Sequence, residues 1–213
     1  MVMNSTKVIN ERRDLPPRSA EGSALDALQQ PPWVVFTGGP CSGKSTTANL
    51  LKELGYNVVP EIARLVIRKE LTVKKCTADE LFSKGDFVSE LIWEKKLALE
   101  NRLPKGMSFI FDRALPDSIV YYELAELDPS ALRSTQLNAR YRHVFLFEPL
   151  PFIEDGIRTS DEARRTAAIT QRLGEVYSDL GYQVTPVPVR SIEERLEFML
   201  QALRTLGIER RPK

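Results

Sequence analysis

The chain has 213 residues, enough to bury the core of one ordinary domain and leave a tail. Its 30 Lys and Arg nearly balance 29 Asp and Glu, for a net charge of +1, so there is no general pull toward nucleic acid or an anionic membrane and any anion affinity must be local. Two cysteines (Cys41, Cys76) make no disulfide framework, no apolar run nears the roughly 18 residues of a membrane span, and the first residues lack a signal-peptide apolar core; the chain reads as cytoplasmic.

Residues 1–32 contain Pro16-Pro17 and Pro31-Pro32, dispersed charge and few large apolar groups. Such a segment cannot bury enough surface to offset its chain entropy, so it reads as a disordered tail with a weak helix around Ala24 to Gln29. Residues 33–206 read as one domain, and 207–213 as a basic, frayed end.

Val34, Val35 and Phe36 form a short apolar strand that runs into Gly38-Gly39-Pro40-Cys41-Ser42-Gly43-Lys44-Ser45-Thr46. This matches G-x-x-x-x-G-K-[ST], a loop whose backbone amides curl around a polyphosphate. Gly38 and Gly43 allow the close approach and the backbone angles needed. Lys44 reaches the β- and γ-phosphates, the Ser45 hydroxyl is placed to ligate Mg²⁺, and the helix that follows aims its free amides at the same anion. Leu54-Gly55 ends that helix.

Tyr56 to Val59 is a second strand, with Glu61 at its exit. In an open α/β sheet the carboxyl ends of the strands border the ligand crevice, so Glu61 is either a crevice carboxylate or half of a surface pair with Arg64 in the next helix. Thr77-Ala78-Asp79-Glu80 has capping-box form and opens a helix to about Leu103, with Leu81, Val88, Leu91, Ile92 and Leu99 inward and a weak point at Gly85. Trp93 reads as packing rather than a stacking platform for a base.

Ser108 to Phe111 is a buried strand ending in Asp112-Arg113. An apolar strand that delivers an acid to its C-terminal end holds Mg²⁺ or takes the proton of a substrate hydroxyl. Arg113 beside it is a phosphate clamp or a structural ion pair. Helices follow from Asp117 to Glu126 and from Ser130 to about Tyr141. His143, the only histidine, reads as a surface residue at a strand edge rather than a metal ligand.

Val144 to Phe147 is the fourth strand, and residues 152–160 form a loop into a helix that ends at Leu180-Gly181. Arg158, Arg164, Arg165 and Arg172 cluster here. Arginines beside a phosphate site suit a lid that neutralises the transferring phosphoryl group, although a solvated helix face carries arginines too. Tyr182 to Thr185 is a fifth strand, placed at a sheet edge by Pro186 and Pro188. Ser191 caps a last helix over Ile192 to Leu206, with Leu196, Met199, Leu200 and Leu203 inward. Five strands interleaved with helices make an α/β domain with a parallel sheet.

GGPCSGKST, the Glu61-to-Arg64 segment, FIFDR at 109–113, VFLFEP at 144–149 and the Arg158-to-Arg164 segment together resemble one family across residues 33–206. It is the P-loop kinase-like AAA domain shared by the ribosylnicotinamide kinase half of NadR and the TRPL translocation defect protein type. The resemblance implies a three-layer α/β/α P-loop NTPase fold with sheet order 2-3-1-4-5, and ATP or GTP with Mg²⁺. The chain is also similar to deoxynucleoside and thymidylate kinases. That similarity implies Glu61 or Asp112 as base, Arg113 and Arg64 at the acceptor, Arg158 and Arg164 in a lid, and the Pro186-to-Arg190 loop beside the nucleotide base.

The leading expectation is a kinase acting on a small-molecule acceptor. Its rival is a nucleotide-binding regulator or slow NTPase that switches a protein partner through the N-terminal tail. A Ras-like GTPase is disfavoured because no [NT]-K-x-D or D-x-x-G follows the loop, and an oligomeric AAA+ motor because there is no room for its helical lid domain. The near-neutral charge argues against a nucleic-acid partner.

Overall fold

The computed structural model describes residues 30–77, 80–81, 87–150 and 160–211. Its strands are β1 (Trp33–Thr37), β2 (Val58–Val59), β3 (Phe109–Asp112), β4 (His143–Phe147) and β5 (Val184–Val187). They form one parallel sheet in the order β2-β3-β1-β4-β5, as the resemblance implied. The helices are α1 (Lys44–Glu53), α2 (Ile62–Lys74), α3 (Phe87–Arg102), α4 (Asp117–Leu124), α5 (Ser130–Arg133), α6 (Ser160–Asp179) and α7 (Ile192–Thr205).

Alternation along β1 sends successive side chains to opposite faces, and both faces are covered. Val34 and Phe36 meet Leu51 of α1 and Met199 and Leu203 of α7. Trp33 and Val35 meet Tyr141, Tyr177 of α6, and Leu99 of α3. A third cluster joins α4 to α6 through Ile119, Leu132 and Leu173, with Trp93 packed against it. Ser191 and Glu194 exchange both bonds of a capping box at the start of α7. Thr77 and Glu80 do the same, with Thr77 N–H donating to Glu80 at 2.8 Å.

Several expectations need correction. The helix from Ser130 stops at Arg133 rather than Tyr141. A continuing helix would set Leu132 and Leu137 about 140° apart around its axis; the chain leaves the helix after Arg133, before Leu137, and both leucines are buried. His143 is not on the surface. It opens β4, which lies between β1 and β5, is 7% exposed, and shares a 2.7 Å hydrogen bond between its Nε2 and Thr185 Oγ1. The C-terminal end does not fray at Gly207, because Ile208 is buried in the core and Arg211 N–H donates to the Gly55 carbonyl at 2.9 Å. β5 begins two residues later than expected, and Pro186 lies at the sheet edge that its missing N–H requires. The residue 1–29 part of the expected tail, Gly85 and Arg158 lie outside the described residues.

Candidate active site

The parallel order places the ends of β1, β2 and β3 side by side, and the sequence motifs sit on those ends. After Thr37 the chain turns at Gly38, φ +134°, where a Cβ would strike the Phe147 carbonyl of β4. Gly39 needs to be glycine for a different reason. A Cβ there would lie 2.6 Å from the Thr166 carbonyl of α6, and its N–H already donates to Thr170 Oγ1 at 2.9 Å. Helix α6 is thereby fastened to the loop.

Lys44 folds back inside that loop. Its Nζ donates to the Gly39 carbonyl at 2.6 Å and to Ser42 Oγ at 2.8 Å, and the residue is 5% exposed. Burial, followed by the nearby Arg113 guanidinium, brings its pKa down to about 7, against the opposing pull of Asp112, Asp117 and Glu61. A buried ammonium so placed gains strongly from an arriving anion.

Asp112 ends β3 next to β1. Its Oδ2 accepts from Ser45 Oγ at 2.6 Å, while the buried Oδ1 has no partner. Burial raises the Asp112 pKa, partly offset by the Ser45 hydroxyl. A hydroxyl and a carboxylate side by side, with oxygen lone pairs unspent, is a donor set suited to a hard cation such as Mg²⁺. Among the described residues no group of three or more His, Cys, Asp or Glu gathers. Mg²⁺ fits this pattern because one or two carboxylates hold it together with substrate phosphates.

Glu61, at the start of α2, faces two arginines: Arg113 Nε at 3.1 Å and Arg64 Nη2 at 3.4 Å. Arg113 is 5% exposed, sits at φ +67°, and also lies 3.5 Å from Asp117 and over the Tyr121 ring. Its Nε and Nη1 have acids within ion-pair range yet no hydrogen bond of good geometry, so directional donors remain to spend. Behind it, the fully buried Asp117 accepts from Thr37 Oγ1 at 2.8 Å, Ala114 N–H at 3.0 Å and Tyr177 OH at 2.6 Å. This ties β1, the β3 exit and α6 into one rigid support.

The expected site residues on Gly38–Thr46, Glu61, Arg64, Asp112 and Arg113 are therefore together. Arg164 is an exposed residue of α6. Arg172 is turned away and joins α6 to α4, donating to Glu123 at 2.8 and 2.9 Å.

Sequence reasoning missed four residues. Asp117 looked like an ordinary acid in a first helical turn, and Thr170 and Lys96 like interior helix positions. Arg195, in the first turn of α7, is 5% exposed and reaches Ser42 O at 3.5 Å and Arg190 O at 3.2 Å, bridging the phosphate loop and the loop after β5.

Two cavities meet at this site. One of about 200 Å³ lies over the loop, against Lys44 and Ser45. The other, of about 770 Å³, leads away past Ile67, Ile92, Tyr121 and Ile169. Glu61, Arg64 and Arg113 border both.

A glycine-rich loop between β1 and α1, an acid at the end of β3 and this sheet order define a nucleotide-binding, kinase-like P-loop fold. Residues 33–195 match the model of the AAA domain family, and the chain belongs to that family. Among solved structures it is similar to the NadR protein in complex with NR, at 16% identity and a TM-score of 0.62 over 89% of this chain and 55% of that one. It thus spans little more than half of the NadR chain. Thymidylate kinase from Candida albicans matches at 17% identity and a TM-score of 0.53, over 86% of this chain and 96% of that one. Deoxyadenosine kinase from M. mycoides matches at 16% and 0.52, over 82% and 99%. These likenesses show a NadR-like, P-loop kinase-type fold. No curated protein sequence matches. Among the described residues no helix is long and apolar enough to cross a membrane.

Proposed function

We propose that the protein is a Mg²⁺-dependent kinase that transfers the γ-phosphoryl group of ATP, or of GTP, to a nucleoside-like or other hydroxyl or phosphate acceptor. The observation that carries this reading is the common border of the two cavities. Glu61 and Arg113 stand where a phosphate bound on the loop would meet a molecule bound in the larger cleft. A cleft of about 770 Å³ is in the range that takes small molecules, and the apolar residues on its walls suit a flat ring.

In this reading the backbone amides of Gly39 to Ser45 and the Lys44 ammonium hold the polyphosphate, with Pro40, Cys41 and Thr46 completing the cradle. Ser45 and Asp112 would hold Mg²⁺, which when bound neutralises phosphate charge. Glu61 accepts the proton of the acceptor hydroxyl, since it borders both cavities whereas Asp112 is engaged by Ser45. Arg113 and Arg64 orient the acceptor, and Arg158 and Arg164 belong to the lid. The loop from Pro186 to Arg190, braced by Arg195, borders the nucleotide base. The unpaired Cys41, exposed on the loop, suits a reducing cytoplasm.

The test is ADP release from MgATP by the full chain, with and without nucleosides, nucleotides and ribosylnicotinamide. Stimulation by an acceptor, abolished in Lys44→Ala, is the expected result. Tight MgATP binding without stimulation by any acceptor would overturn the kinase reading in favour of a nucleotide-dependent regulator.

A further inference from the structure

The larger cleft contains a charge that the proposed transfer does not use. Lys96, on α3, is 4% exposed and is among the residues that line the cleft. Its ammonium donates to the Ala114 carbonyl at 2.9 Å and to Ser118 Oγ at 3.0 Å. Both acceptors are neutral, an ammonium has three protons, and among the described residues Lys96 makes no ion pair.

The acids near it are already engaged. Asp117 is held by Thr37, Ala114 and Tyr177. Glu100, one turn further along α3, accepts from Tyr141 OH at 2.9 Å and 2.8 Å, from Leu115 N–H and from Arg140. Glu61, the one acid among the described residues that line the cleft, faces Arg113 and Arg64. Among the described residues the lining thus carries Arg64, Lys96, Arg113 and Arg165 against a single carboxylate.

Burial disfavours the charged form of Lys96 and lowers its pKa. A buried ammonium with no direct ion pair stands in a helix interior where Leu or Met would pack freely, and the fields of Asp117, Glu100 and Glu61 only partly offset its desolvation. A ligand that brings a negative charge into contact with it offsets more of that cost.

We infer that the acceptor carries a carboxylate remote from its reacting group, and that Lys96 with the Ser118 hydroxyl binds it. One ammonium beside one hydroxyl balances a single negative charge, which favours a carboxylate over a dianionic phosphate. The same cleft is lined by the Tyr121, Ile92 and Ile169 side chains, apolar surface suited to a flat ring. The inference rests on the kinase reading above, which makes the Glu61 end the reacting end.

Matched acceptors that differ in one group test it: nicotinate riboside against nicotinamide riboside, and orotidine against uridine. With the full chain and MgATP, the carboxylate member of each pair should show a KM lower by about tenfold, the scale of one charge-assisted hydrogen bond. Lys96→Met should reduce that preference to within about twofold while MgATP affinity, measured by calorimetry, stays at the wild-type value. Lys96→Arg, which keeps the charge, should retain the preference, and Ser118→Ala should weaken it. A purely structural role for Lys96 would weaken both members of a pair equally and leave their ratio unchanged.

The inference is overturned if wild type that binds MgATP ignores or disfavours the carboxylate members, or if Lys96→Met keeps the preference. Failure of the wild type to bind MgATP overturns the kinase reading first, and this inference with it.

Discussion

At the phosphate end of the site polar groups largely answer one another: Lys44 bonds to Gly39 and Ser42, Ser45 to Asp112, and Gly39 to Thr170. At the acceptor end, α2 buries none of its 13 residues, Leu65 is 49% exposed, and the most buried side chains of α3 include the charged Lys96 and Glu100. A polyphosphate has one shape, and a backbone cradle fixed by close contacts suits it. An acceptor is read by side chains, so its half of the site is wide and lightly packed. In the proposed function rigidity and openness are divided between two ligands, with the Glu61–Arg113 pair as the seam between them.

If that division is right, the two halves can be broken separately. Glu61→Gln should lower acceptor-stimulated turnover by about 10² to 10⁴, the worth of a positioned base, with MgATP affinity in calorimetry little changed. Lys44→Ala should do the reverse, weakening MgATP on the order of 100-fold and removing turnover with it.

The same lysine gives the phosphate end a pH signature. Its pKa in the empty protein is brought down to about 7, and bound phosphate favours the ammonium. Between that pH and its ordinary value, binding must take up a proton, so affinity falls as pH rises above about 7 and levels off below it. Linkage gives the opposite sign for the empty fold, because the unfolded chain binds the extra proton and the Lys44 contribution to stability rises with pH in this window. Calorimetry in buffers of different ionisation enthalpy should register the uptake, and Lys44→Met should abolish it.

Gly39→Ala should cost about 1–3 kcal/mol of stability by thermal unfolding, since its Cβ would press on the Thr166 backbone of α6. The smallest effect belongs to Arg172→Ala. Its pair with Glu123 is 37% and 28% exposed, and removing it should cost no more than about 1 kcal/mol and leave MgATP affinity unchanged.

The phosphate end was legible in the sequence because its chemistry is tied to fixed spacing. Gly38 to Thr46 forms the loop, Asp112 falls at the end of β3, and Glu61 stands beside Arg64 and Arg113. The acceptor end was less so. The apolar residues of α3 drew attention to Leu91, Ile92 and Leu99 and away from Lys96 and Glu100, whose burial depends on Ala114, Ser118 and Tyr141 elsewhere in the chain. Thr170 and Arg195 reach the loop across 131 and 153 residues, distances no local pattern records. His143 was misplaced for a related reason. An expected strand of Val144 to Phe147 leaves it outside, whereas β4 begins at His143 itself and the ring's partner, Thr185, lies on β5, 42 residues away.

The most direct test of the account is ADP release by wild type, Lys44→Ala and Glu61→Gln, with and without acceptors, alongside MgATP calorimetry on the same samples. Acceptor-stimulated release is expected in the wild type only, with MgATP affinity lost in Lys44→Ala and kept in Glu61→Gln. Stimulated release that survives Glu61→Gln at the wild-type rate would contradict the assignment of the seam between the two halves as the place where transfer occurs.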